Sequence, residues 1–169
     1  MSALTRIAEV LKPWNTAFSN STAISTTVTT VHIIALLFAG GLAIAADRTT
    51  LRALRASAEA RRRQLDELAA VHRPVLGFLA LLFVSGLLLA ASDVETFATS
   101  PLFWVKLSLV ALLVINGAVL QRTESRLRSV DAPTDSASPL WRRLRISTYA
   151  SITLWTATAI TGVVLANVS

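Results

Sequence analysis

The sequence has no cysteine, and this absence excludes several kinds of site at once. A chain without cysteine has no disulfide framework, no thiolate metal site and no attachment point for a c-type haem. Methionine occurs once, as Met1, so soft ligands for copper are scarce as well. His32 and His72 are the two histidines, and they are the remaining nitrogen ligands to consider for a metal or a haem iron.

Charged residues are also scarce, and this excludes an ordinary soluble domain. They make up 15% of the chain, whereas soluble domains carry about 25%. Hydrophobic residues make up 53%, and the mean hydropathy is +0.59. This composition indicates an integral membrane protein whose surroundings are a lipid bilayer. The net charge of +6 then reports the topology of basic loops and does not point to a nucleic-acid partner.

Long apolar runs occur at four places, and each matches the thickness of a bilayer. A hydrocarbon core of about 30 Å needs roughly 20 apolar residues in one helix. The predicted spans are 27–46, 74–91, 102–120 and 147–166. The longest polar segment, 47–73, is shorter than an ordinary domain. The sequence therefore predicts an all-α fold, with residues 1–169 forming one four-helix transmembrane bundle.

Arginine is concentrated in two of the connections between spans, and the third connection has no basic residue. The arginines between spans one and two are Arg48, Arg52, Arg55, Arg61, Arg62, Arg63 and Arg73. Those between spans three and four are Arg122, Arg126, Arg128, Arg142, Arg143 and Arg145. By the positive-inside rule, both arginine-rich connections are cytoplasmic and both termini lie outside.

The segments outside the spans predict three further features. Apolar residues recur at helical spacing in residues 4–11 and Pro13 interrupts them, which predicts a short interfacial helix followed by a polar linker. Residues 48–73 lack glycine and predict a charged cytoplasmic helical hairpin that extends spans one and two. Residues 130–139 predict a flexible loop. Tryptophans near the predicted ends of the spans are typical of an aromatic belt: Trp14, Trp104 and Trp141.

Two ionisable side chains interrupt the spans at a similar depth. His32 lies about 8 Å inside the outer edge of the first span, at roughly 1.5 Å per residue, and Lys106 reaches nearly the same level in the third. Ser85 and Thr158 fall in the same outer half. Ionisable residues within a membrane usually face the bundle interior and are candidates for a functional site.

Small residues continue the helical face that carries the histidine. At about 100° per residue, His32 shares its face with Ala35 and Ala39. The fourth span has a comparable face with Trp155 and Thr158. A face of small residues allows close approach of a backbone or a flat ligand, so this arrangement suits a planar cofactor such as haem.

The chemistry of haem b is compatible with these residues. His32 would supply the imidazole to the haem iron, and Lys106 would neutralise a propionate. The Thr29 hydroxyl or the Val28 carbonyl, about one turn earlier, is the expected group to orient the ring. His72 lies about 20 Å away along the membrane normal, so a haem with two histidine ligands is excluded.

Three stretches of the sequence carry a resemblance to known membrane proteins. They are "VHIIALLFAGGLAIAADRTTLRAL", "GFLALLFVSGLLLAASDVETFATSPLFWVKLSLVALLVINGAV" and "LRISTYASITLWTATAITGVVLA". Together they resemble a family of bacterial four-span membrane proteins of unknown function. More distantly they are similar to copper-resistance D-type membrane domains, through "KL-LVALL--N", and to haem-dependent membrane protoporphyrinogen oxidases. The resemblance implies haem b at His32, a functional role for Lys106 and a bacterial inner-membrane location.

Three functions remain open at this point, and the sequence does not decide whether the protein is an enzyme. The first is a b-type haem-binding redox protein or redox subunit, with a membrane redox partner or a second copy of the chain. The second is copper or small-cation handling. The third is a non-catalytic partner or assembly subunit that docks through the arginine-rich hairpin. Each of the two residues also has an interpretation without a cofactor. His32 would then bond a hydroxyl across the bundle, and Lys106 would extend its ammonium to the outer lipid headgroups.

Overall fold

Helices form the whole fold that the computed structural model describes, which covers residues 3–129 and 138–168. In chain order they are α1 (Ala3–Asn20), α2 (Thr22–Ala53), α3 (Ala58–Ser92), α4 (Val94–Thr99), α5 (Pro101–Ser129) and α6 (Pro139–Val168). These residues include no strand, which confirms the all-α prediction. The predicted loop at 130–139 falls largely on residues 130–137, which lie outside the described ranges.

Four of the helices contain the predicted spans and continue beyond them. Helices α2, α3, α5 and α6 are long and apolar enough to cross a membrane, so the chain has the features of a multi-pass membrane protein. Helix α2 has 32 residues and α3 has 35, although about 20 suffice for a bilayer. The surplus lies mainly at the end of the bundle that carries the arginines of residues 48–73 and 122–145, here called the arginine-rich end.

The long helices pack as two pairs. Helix α2 runs along α3, α5 runs along α6, and the two pairs meet through α2 and α6. Helices α3 and α5 make few contacts with each other. The bundle is therefore loosest along the seam between α3 and α5.

An apolar cluster in the middle of the bundle joins the two pairs. This middle core consists of Ala35, Ala39, Leu82, Leu113 and Trp155. Ala35 and Ala39 have no exposed surface, and their small side chains leave room for the indole of Trp155 between α2 and α6. A β-carbon added at Gly40 would lie 3.2 Å from Cε3 of Trp155, so α2 and the indole are in close contact there.

A second apolar cluster lies at the arginine-rich end. It consists of Leu65, Leu127, Trp141 and Leu144, and it connects α3, α5 and α6 beyond the predicted spans. Trp141 is 3% exposed and lies beneath the guanidinium of Arg61, 5.7 Å from the ring centroid. The predicted belt position of Trp141 is therefore wrong, because the long helices form a packed extension there.

The N-terminal helix is longer than the sequence predicts. Helix α1 continues through Pro13 to Asn20, so the predicted polar linker is wrong. A proline inside a helix removes one backbone hydrogen bond. Contacts to α3 anchor α1 immediately after the proline: Trp14 Nε1 donates to the Leu88 carbonyl at 2.9 Å, and the Asn15 amide donates to the Ser92 carbonyl.

The contact between Gly40 and Trp155 can be tested against a neighbouring glycine. Gly40→Leu should lower the free energy of unfolding in detergent by about 1–3 kcal/mol, because the added side chain overpacks the middle core. Gly41→Leu should have little effect, since a β-carbon there meets nothing within 4 Å. Reversible denaturant unfolding followed by circular dichroism measures both values. Equal losses for the two variants would contradict the described packing.

Candidate functional site

His32 is held by the serine hydroxyl of a neighbouring helix. Its Nδ1 lies 3.0 Å from Ser85 Oγ on α3. The Ser85 hydroxyl is also 2.7 Å from the Leu81 carbonyl, to which it donates its single hydrogen. With the Ser85 hydroxyl directed at this carbonyl, its oxygen accepts from Nδ1–H of the ring and the lone pair of the imidazole lies on Nε2. The backbone of Leu82 is a further hydrogen-bond partner of the ring. The predicted orienting groups, Thr29 and Val28, belong to the histidine's own helix, whereas Ser85 comes from the adjacent one.

A glycine next to Ser85 allows the ring to lie flat against α3. A β-carbon added at Gly86 would be 3.2 Å from Cε1 of His32, which is closer than most such contacts. The pair Ser85–Gly86 thus provides both an acceptor and the space for the ring. The signal in the sequence was this serine–glycine pair within an otherwise apolar span.

Lys106 points into the bundle from α5. Its Nζ would lie 3.4 Å from a β-carbon placed at Gly162 on α6, and its side chain is half-buried. The ammonium acts electrostatically on His32, so the two groups share one region of the interior. This position places the amine against α6. The predicted common depth of the two groups in the membrane stays a prediction.

Thr158 adds a hydroxyl without a partner to this region. Its side chain is 2% exposed, and Oγ1 has no hydrogen-bond partner among the described residues. It lies one helical turn from Gly162, against which Lys106 rests. We refer to His32, Ser85, Gly86, Lys106, Thr158 and Gly162 together as the histidine site.

The remaining predicted cofactor residues lie in the middle core. Ala35, Ala39 and Trp155 pack against one another, and the indole fills the groove that the small residues of α2 leave open. The open groove predicted beneath His32 is therefore absent, because Trp155 fills it. A role of these three residues in binding a cofactor stays a prediction.

A second polar cluster at the arginine-rich end was missed. Asp47 on α2 and Glu124 on α5 are 4% and 3% exposed. The Ser151 hydroxyl is a hydrogen-bond partner of Asp47, and His72 Nδ1 lies 3.6 Å from Glu124 Oε2. His72 lies within α3, which begins at Ala58. We call Asp47, His72, Glu124 and Ser151 the acid layer.

The acid layer has carboxyl oxygens that its own partners do not satisfy. Within the described ranges, Asp47 Oδ2 and Glu124 Oε1 have no hydrogen-bond partner. A buried carboxylate is costly unless a proton, a cation or hydrogen-bond donors compensate it. Residue spacing was the available signal, because Asp47 continues the face of Ala35 and Ala39 at intervals of four residues.

Metal binding by side chains alone receives no support from the geometry. The described part of the chain contains no group of three or more His, Cys, Asp or Glu side chains that could hold a metal ion. His32 and His72 lie at opposite ends of the middle core and contact different partners.

The state of the His32 ring can be measured directly. Nitrogen-15 NMR of the histidines should show His32 with a protonated Nδ1 and a bare Nε2, and His72→Gln assigns the two signals. Ser85→Ala should shift the His32 signals because the ring loses its acceptor. Gly86→Ala should shift them as well, whereas Gly77→Ala should not, since a β-carbon at Gly77 meets nothing within 4 Å. A His32 signal that none of these variants moves would refute the described contact.

Comparison of the chain with protein-family models, with curated proteins and with solved structures found no match. The geometry of its own residues therefore carries the functional argument.

Proposed function

We propose that this chain is a membrane redox protein, or a redox subunit, that binds haem b through His32. The observation that carries the proposal is the hydrogen bond from His32 Nδ1 to Ser85, which leaves Nε2 free to act as a ligand. Histidines that bind a metal usually donate their other ring nitrogen in this way, and the donation fixes the orientation of the ring.

The other residues of the histidine site fit the polar parts of the same ligand. Lys106 provides a half-buried ammonium for an anionic propionate, and the unpartnered Thr158 hydroxyl provides a further donor. When bound, haem supplies one-electron chemistry whose potential depends on its axial ligand and on the surrounding hydrogen bonds. In this proposal the chain holds the ring, balances the charge and excludes water.

The shape of the bundle restricts how a flat ligand reaches His32. Trp155 and the rest of the middle core fill the interior beneath the histidine site. Helices α3 and α5 make few contacts with each other. The side-chain contacts described between them include His72 with Glu124, Arg128 with the Leu65 carbonyl, and the residues that the two helices contribute to the apolar clusters. A ligand would therefore enter from the lipid, between α3 and α5.

A single histidine would serve the iron in this arrangement. His72 belongs to the acid layer, on the far side of the middle core. His32 would be the one histidine that holds a haem here, and a haem with one protein imidazole would supply the chemistry of a reactive centre more readily than that of a simple electron carrier. We further propose that the arginine-rich end is cytoplasmic in a bacterial inner membrane, with the histidine site in the outer leaflet.

A haem spectrum tests the proposal. Protein purified in mild detergent from haem-replete cells should show a Soret band and a b-type pyridine haemochrome spectrum. His32→Ala should lose the band, and His72→Gln should keep it. Ser85→Ala should weaken haem binding by about tenfold, the usual effect of removing the group that orients a ligand.

Circular dichroism and gel filtration establish that each variant is folded, so loss of haem can be separated from loss of structure. Folded wild-type protein without a Soret band would overturn the proposal. Equal haem content in His32→Ala and the wild type would do the same, and would favour the alternative of a non-catalytic partner subunit.

A further inference from the structure

A cavity of about 190 Å³ opens at the arginine-rich end, where α2 passes α6. It is lined by Leu51, Leu54, Arg55, Arg145 and Tyr149. None of these residues belongs to the histidine site or to the acid layer. The cavity therefore has no role in the function proposed above.

Two guanidinium groups give this cavity a positive charge. Arg55 comes from the turn that follows α2 and Arg145 from the first half of α6, and both are exposed. The ion pairs within the described ranges join Arg63 to Glu59 and His72 to Glu124, and neither involves a cavity residue. Asp47 and Glu124 are buried and do not line the cavity. The charge of the cavity is thus open to an anion from outside the chain.

The cavity lies at the depth where lipid headgroups are expected. Arg145 is just outside the predicted span 147–166, and Tyr149 is just inside it. Ile146, between them, is 57% exposed and Tyr149 is 50% exposed, as expected of side chains that face lipid at the edge of a span. Tyrosine is typical of the boundary between hydrocarbon and water.

We propose that this cavity binds the phosphate group of an anionic phospholipid. Arginine presents a planar fork of donors that matches phosphate oxygens, and two arginines from different helices would hold one phosphate between them. The Tyr149 hydroxyl adds a donor, while Leu51 and Leu54 offer apolar contact to the glycerol and the upper acyl chains. Basic pockets between transmembrane helices on the cytoplasmic side are suited to such headgroups.

Binding there would strengthen the junction between the two helix pairs. Arg55 follows the end of α2 and Arg145 lies on α6, and the two helix pairs meet through α2 and α6. A ligand that binds the folded state and not the unfolded state stabilises the fold by mass action. An anionic lipid should therefore raise the thermal midpoint of the purified protein. This inference does not depend on haem binding.

The test compares two double variants that lose the same charge. Arg55→Gln with Arg145→Gln removes the lining guanidiniums. Arg52→Gln with Arg142→Gln removes one exposed arginine from α2 and one from α6, and neither of these residues lines the cavity. Each protein is studied in detergent micelles doped with phosphatidylglycerol, with phosphatidylcholine, or with inorganic phosphate at the same concentration.

Phosphatidylglycerol should raise the midpoint of the wild type and of the Arg52/Arg142 variant, and native mass spectrometry should show the lipid retained. The Arg55/Arg145 variant should bind the lipid about tenfold more weakly or worse, as expected when charged hydrogen bonds are lost. Phosphatidylcholine and inorganic phosphate should have little effect.

Three results would overturn the proposal. The first is a wild type that phosphatidylglycerol does not stabilise. The second is an equal loss of lipid binding in both double variants, which would mean that binding depends on the overall charge of the protein and not on the cavity. The third is stabilisation by inorganic phosphate as strong as that by the lipid, which would identify a site for free anions. Gel filtration and helix content confirm that each variant is folded before the lipids are compared.

Discussion

The fold depends on the high cost of leaving a polar group unpaired inside an apolar bundle. An unpaired polar group costs several kcal/mol in hydrocarbon, so hydroxyls in the long helices donate to carbonyls of their own helix. Ser85 donates to Leu81, and Thr50 donates to Ala46. Each of these hydroxyls then accepts from another side chain, Ser85 from the His32 ring and Thr50 from the Gln64 amide. A hydroxyl that donates to a carbonyl of its own helix thus accepts a hydrogen bond from a polar side chain of a neighbouring element and fixes its position.

Sequence reasoning recovered the parts of the fold that depend on local length and composition. The four spans follow from apolar runs of bilayer length, and the inward placement of His32 and Lys106 follows from depth and helical face. The partner of His32 did not follow, because the rotation of α3 against α2 depends on contacts along the whole pair. The prediction that the first helix ends at Pro13 was wrong for a similar reason. Contacts of Trp14 and Asn15 with α3 hold the helix together beyond the proline.

The acid layer shows why charge patterns in loops can conceal a buried site. Many arginines surround Asp47 and Glu124 in the sequence, and this excess indicates a solvated, topology-determining region. The helices nevertheless continue past the predicted spans and enclose an apolar cluster around Trp141 and Leu144. The two carboxyl groups are buried above that cluster, and their partners come from α3 and α6. Burial there results from helix length, which hydropathy windows do not measure.

The separation of the two polar regions bears on the kind of function the bundle suits. The histidine site and the acid layer lie on opposite sides of the middle core, where Trp155 packs against Ala35 and Ala39. An ion that crosses a membrane needs polar groups at intervals along its path, because each desolvated step is costly. The middle core offers indole and methyl groups in that position. The middle core therefore separates the histidine site from the acid layer by apolar side chains.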